Sequence, residues 1–409
     1  RSLTRNSTTR TNQNRPKQYR FRRNARNYDL NRDFIKSDTK NARTFATIFH
    51  QVKPDVFIDN HVSNGADYQY TLTHLFTQHN KLGGDLGVYL HSEMMRALEK
   101  KLSEKQWDIT PYVNVFNRVP EKGFSQFMDY PRYSTGYTTL WNTLGMMVET
   151  HMLKPYKQRV EGTYELMKSM IEIVDADSNE KKDMRATTFS SNADLKSYTI
   201  NWTVDTTKTS TLNFKGYEGS MIPSDITGGQ RLKFDRTKPF TKQVEYSNYF
   251  TPQTEVSIPS AYVISKGWHN IIELLELNQV EMTNFERDTV LTVESYRISD
   301  YKTRTNAYEG HYPHYNTQIT TDTKSISFKT GDVLVKTNQP ALRYLLETLE
   351  PQAPDSFFNW NFFDTILQQK EGFSPYVCED QVKTLLATQP KVQINFNLKK
   401  SYDQDFANN

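Results

Sequence analysis

The chain has 409 residues, 36% of them hydrophobic and 13% aromatic, with a formal charge of +4. That length exceeds what one hydrophobic core usually supports and predicts two or more domains, and the apolar content excludes a wholly disordered chain. No run of about 18 apolar residues occurs, so no transmembrane helix is encoded, and the single cysteine, Cys378, excludes an internal disulfide framework or a CxxC metal site.

The charge is unevenly spread. Residues 1–36 hold eleven Lys or Arg against two Asp. Such a basic start could steer an anionic partner, but only Tyr19, Phe21 and Tyr28 interleave with it as stacking aromatics, and no nucleic-acid fold signature follows. No nucleic-acid partner is therefore expected. The chain opens on Arg1 rather than Met and reads as N-terminally truncated.

Residues 1–28, rich in Arg, Asn, Thr and Gln, read as an extended surface segment. Ser37 is placed to cap a helix in which Ala42, Phe45, Ala46 and Phe49 recur at helical spacing. Pro54 and Asp55 end it, and residues 56–58 read as a short buried strand. A second helix is predicted over about 86–104, with Leu90, Met94, Leu98 and Leu102 as its apolar stripe. Residues 112–116 and 146–148 read as further strands, and Pro155 opens a long helix ending near Val174. This alternation predicts an α/β unit with a mixed, largely parallel sheet and flanking helices over residues 1–177. Residues 175–182 read as a charged linker. Beyond it, residues 198–204 and 289–296 alternate like half-exposed strands, and helical stretches fall near 270–277 and 339–349. Residues 178–409 therefore form a β-rich α+β accessory region.

Three residues stand where chemistry is carried. His61 follows a buried strand and precedes the turn residues Ser63, Asn64 and Gly65; a strand-end histidine faces the crevice where α/β proteins bind ligands, and neutral imidazole is a common metal ligand. Alone, such a histidine is more often a structural or hydrogen-bonded residue. Glu149 leaves the apolar strand at 146–148, and partial desolvation suits a carboxylate there to general-base work; pairing with His151 or Lys154 is the alternative. Asn31 and Arg32 offer an amide donor and a planar fork matched to a carboxylate, unless Arg32 is salt-bridged to Asp29 or Asp33.

Taken in order, Asp29-x-Asn31-Arg32, His61 and Glu149 resemble the zinc carboxypeptidase family typified by carboxypeptidases A and B, over roughly residues 1–175. The nearest look is to bacterial members with long C-terminal extensions. The resemblance implies that His61 is a zinc ligand, Glu149 the base that activates zinc-bound water, and Asn31 with Arg32 the clamp for the substrate's terminal carboxylate. It implies that Asp29 orients a metal-binding histidine. It also implies that an upstream arginine polarises the scissile carbonyl, where Arg10 fits better than Arg5 or Arg15, and that a mobile tyrosine is Tyr133 rather than Tyr137. The implied substrate is a peptide or peptide-like chain with a free C-terminal carboxylate, and the implied location is exported. One departure is plain: the family takes two zinc ligands from an HxxE pair, and none of the nine histidines here has Glu three residues later. Those ligands are expected upstream of Arg1, and the chain alone is expected to be inactive. A catalytically inactive, carboxypeptidase-like binding protein is the alternative. His311 and His314 have a spacing that could suit a metal, but Pro313 and the flanking tyrosines read as a turn.

Overall fold

A computed structural model describes residues 23–176, 178–372 and 374–408. The chain divides into two compact units, one ending at Phe362 and the other starting at Phe363. The second unit is helical, and Pro375 and Pro390 open its two longer helices at positions where a missing N–H costs nothing. Among the described residues, no helix is long and apolar enough to cross a membrane.

The first unit is mixed α/β. Its central sheet holds four strands: β1 (Val56–Ser63), β2 (Leu72–Phe76), β3 (Ile109–Pro111) and β4 (Leu144–His151), in the order β1-β4-β2-β3. The β1/β4 and β2/β3 pairings are parallel, and β4/β2 is antiparallel. Because side chains alternate across a strand, Met146 and Val148 of β4 join Leu72, Leu98 and Leu166 in a core beneath flanking helices. One of those helices is Tyr156–Ala176. The other runs from Gly84–Tyr89 through a π-helical turn, Leu90–Met94, into Met95–Glu104.

Four local expectations are corrected. The first helix, Lys40–Val52, is capped by Thr39 and not by Ser37: the Thr39 hydroxyl accepts from the Ala42 N–H at 3.1 Å, while Ser37 adopts a φ of 50°. Asp33 imposes that turn, accepting from the N–H groups of Asp38 and Thr39. Strand β1 continues past Ile58 through His61 to Ser63. Residues 112–116 alternate as expected but form no ladder, because the N–H groups of Asn114 and Val115 bond two residues back. Among the described residues of 175–182, where a linker was expected, one helix ends at Ala176 and another, Ser178–Ser191, begins; Arg185 ties the second to Asp55, Lys53 O and Trp141 O.

Beyond residue 178 come antiparallel ribbons: β5 (Ser197–Val204) with β8 (Phe250–Ser257), β6 (Ser210–Pro223) with β7 (Gln230–Ser247), whose sheet gains the short strand Phe124–Ser125 beside β7, and β9 (Thr289–Thr303) with β10 (His314–Phe328). The boundary expected at 177/178 falls inside the first unit. Phe214, Val244 and Tyr246 from β6 and β7 share a buried cluster with Tyr68, Val113, Val115 and Phe124.

Candidate active site

The parallel register of β1 and β4 sets His61 beside Glu149. Alternation then assigns the two faces of β4: Met146 and Val148 enter the helical core, while Met147 and Glu149 line a cavity on the other side. That cavity measures about 330 Å³, within the range of small-molecule sites. Asn31, Arg32 and Tyr133 share its wall with Glu149, which is only 8% exposed. Leu75, Phe116, Phe127 and Met152 supply apolar surface. Tyr112, Asn114 and Phe116 face it from the segment that mimicked a strand, with Val113 and Val115 buried on the opposite side.

Asn31 and Arg32 lie in a single 3-10 turn, Leu30–Arg32. Asp29 starts that turn by accepting the Asn31 N–H at 3.0 Å. Arg32 pairs with neither Asp29 nor Asp33: its Nη1 donates to Asn31 O at 2.6 Å, and its guanidinium lies 4.5 Å from the centre of the Tyr133 ring. Asp33 is engaged by buried Lys36. Burial pushes the Tyr133 phenol above its ordinary pKa, and the Arg32 charge opposes that shift. Tyr137, the rival tyrosine, is fully buried and donates to Asn278. Arg10, Arg5 and Arg15 lie outside the described residues.

Two residues missed in the sequence tie these parts together. Asp59 shares a face of β1 with His61 and accepts from its Nε2 at 2.7 Å. Ser134 donates its hydroxyl to Asp59 at 2.6 Å and its N–H to Asn31 Oδ1 at 3.2 Å. Ser134 thus orients the Asn31 amide, with the carbonyl end held and the amino end left to donate. The i, i+2 spacing of Asp59 and His61 was a readable signal; the reach of Ser134 across 75 and 103 positions was not.

His151 and Lys154, the alternative partners of Glu149, are engaged elsewhere. His151 bonds Asp67 at 3.1 Å, and Lys154 donates to Tyr68 O at 2.7 Å. Asp67 is also held by Arg236 of β7. The Tyr68 ring packs on His151, with its hydroxyl 3.3 Å from Ser63. Burial keeps that phenol protonated, and the charge of nearby Glu149 acts in the same direction.

The zinc implied by the sequence resemblance can be tested against these groups. Catalytic zinc takes three protein ligands plus water. Among the described residues, no three His, Cys, Asp or Glu side chains gather to hold a metal, and the Nε2 of His61 is engaged by Asp59. One imidazole does not make a zinc site, so the residues present do not fit one. His311 bonds Asp38, and His314 bonds Thr303, in a turn with Gly310 at a φ of 84°. Compared with known proteins, the chain matches no family model, no curated protein and no solved structure.

Proposed function

We propose that this chain carries the carboxylate-recognition and general-base half of a carboxypeptidase-type hydrolase of the zinc metallocarboxypeptidase kind. The observation that carries the reading is the shared cavity: a guanidinium with no ion pair among the described residues, an oriented amide and a nearly buried carboxylate face one volume. The Arg32 fork suits the two oxygens of an end-of-chain carboxylate, and the Asn31 amide adds a donor. Glu149 would accept a proton from the attacking water and return it to the amine nitrogen as the C–N bond breaks. The apolar wall would take the side chain of the terminal residue.

In this reading His61 would be one zinc ligand, and this sequence contains no HxxE to supply two others. The chain by itself would then recognise carboxylates without hydrolysing peptides. The test uses the product of the complete reading frame, assayed for release of C-terminal amino acids. Release should stop with a chelator and fall by roughly a hundredfold or more in Glu149→Gln. Full turnover by that variant would sink the mechanism. A complete reading frame without HxxE would instead favour the inactive, carboxypeptidase-like binding protein.

A further inference from the structure

A second cavity, of about 370 Å³, shares no lining residue with the first. Two separate ribbons build it, and each breaks its ladder at the residues that line it. In β5/β8 the register runs Asn201↔Thr254 and then Trp202↔Pro252, which leaves Gln253 without an opposite residue. In β9/β10 it runs Asp300↔Gln318 and then Lys302↔Tyr315, which sets Asn316 and Thr317 against Tyr301 alone. Asn316 takes a φ of 53°, sparsely populated for a residue with a side chain. Bulges re-aim side chains and gather at binding sites. Here two of them present Gln253 and Asn316 to one volume.

The chemistry of the lining is narrow. It contains no carboxylate, which argues against a metal cation. Arg132 is neutralised by buried Asp355, which also accepts from Trp360. What remains is amide and hydroxyl, with the Arg304 guanidinium and the His314 imidazole beside them. Asn201 accepts from the Tyr130 hydroxyl at 2.9 Å and donates to Gln253 Oε1 at 3.0 Å. Thr317 donates to Asn359 at 2.6 Å. The amides of Asn316 and Gln352 make no hydrogen bond among the described residues. An amide both donates and accepts, which complements neighbouring hydroxyls that also do both. The Tyr315 ring, 42% exposed, adds an apolar face of the kind that covers the C–H side of a pyranose.

We infer that this cavity binds a saccharide. The assignment does not depend on any catalytic role of Glu149. The test screens the purified chain against defined oligosaccharides built from neutral hexoses, N-acetylhexosamines and uronates, then titrates the best one calorimetrically. The double variant Gln253→Ala/Asn316→Gly removes both bulge amides, at exposed positions and with a residue suited to positive φ. It should weaken binding about tenfold or more while the far-UV circular dichroism is unchanged. Failure of every oligosaccharide to bind, or an unaltered affinity in the double variant, overturns the assignment. Should the double variant lose its native spectrum, Gln352→Ala alone decides by the same criterion.

Discussion

His79 and His91 stack with ring centres 4.1 Å apart, and the Nε2 of His79 is buried without a hydrogen-bond partner among the described residues. Burial, then the neighbouring His91, pushes the His79 pKa down to about 4. A folded-state pKa below the unfolded value of 6.5 means that the unfolded chain takes up the proton first as pH falls. The associated stability is intact above pH 6.5 and is lost as pH drops toward 4. His79→Gln should flatten that loss, read as the change in denaturant midpoint between pH 7 and pH 4.5 relative to the parent. Buried Glu347, raised by desolvation to about 7, works in the opposite sense, losing stability as pH rises from 4.5 to 7. The difference between variant and parent is therefore the quantity to read; an identical pH response in both would show that His79 does not titrate as argued. The candidate residues around Glu149 were legible at this scale because each type is restricted chemically: a fork for a carboxylate, a carboxylate at a strand end. Asp59 and Ser134 were not, since their roles depend on which side chains meet across the fold.

The short helix Ser134–Thr139 positions the cavity wall. Its first residue holds Asn31 and Asp59, and the preceding residue, Tyr133, lies under Arg32. Gly136 lets that helix sit on the chain before it: an added Cβ would lie 2.1 Å from Tyr130 O and 2.3 Å from Asp129 O. Backbone cannot yield as a side chain would. Gly136→Ala should destabilise the protein by about 1–3 kcal/mol or more, measured by denaturant unfolding; a change within about 0.5 kcal/mol would contradict this packing. Long periodic elements such as Tyr156–Ala176 and Leu144–His151 were readable, because a buried face repeats over several turns or pairs. The segment at 112–116 misled for the same reason. It alternates because Val113 and Val115 bury while Tyr112 and Asn114 face the cavity, and alternation alone does not require a ladder. The stretch 175–182 misled through its charge: one helix ends at Ala176, another begins at Ser178, and Arg185 anchors the second.

Across the molecule, the core clusters run over position 177, so the β-rich region packs with the α/β sheet rather than beside it. Phe214, Val244 and Tyr246 cover one end of the sheet region, and Arg236 reaches Asp67 beside His151. No local pattern encodes such pairings, because they join residues 90 or more positions apart. Mixed α/β class was legible from alternation; the placement of β2 between β4 and β3, antiparallel to β4 and parallel to β3, was not, since strand order follows from long-range pairing. The two cavities fall on either side of the 129–134 segment, with Tyr130 and Arg132 lining one and Tyr133 the other. In the proposed function, Arg32 makes the Glu149 cavity a site for end-of-chain carboxylates. The most direct measurement compares binding of N-acetyl-phenylalanine and its C-terminal amide to the chain by ligand-observed NMR. The acid should bind about tenfold more tightly than the amide, and Arg32→Ala should erase that preference. Equal binding of acid and amide, or a preference that survives in Arg32→Ala, would contradict it.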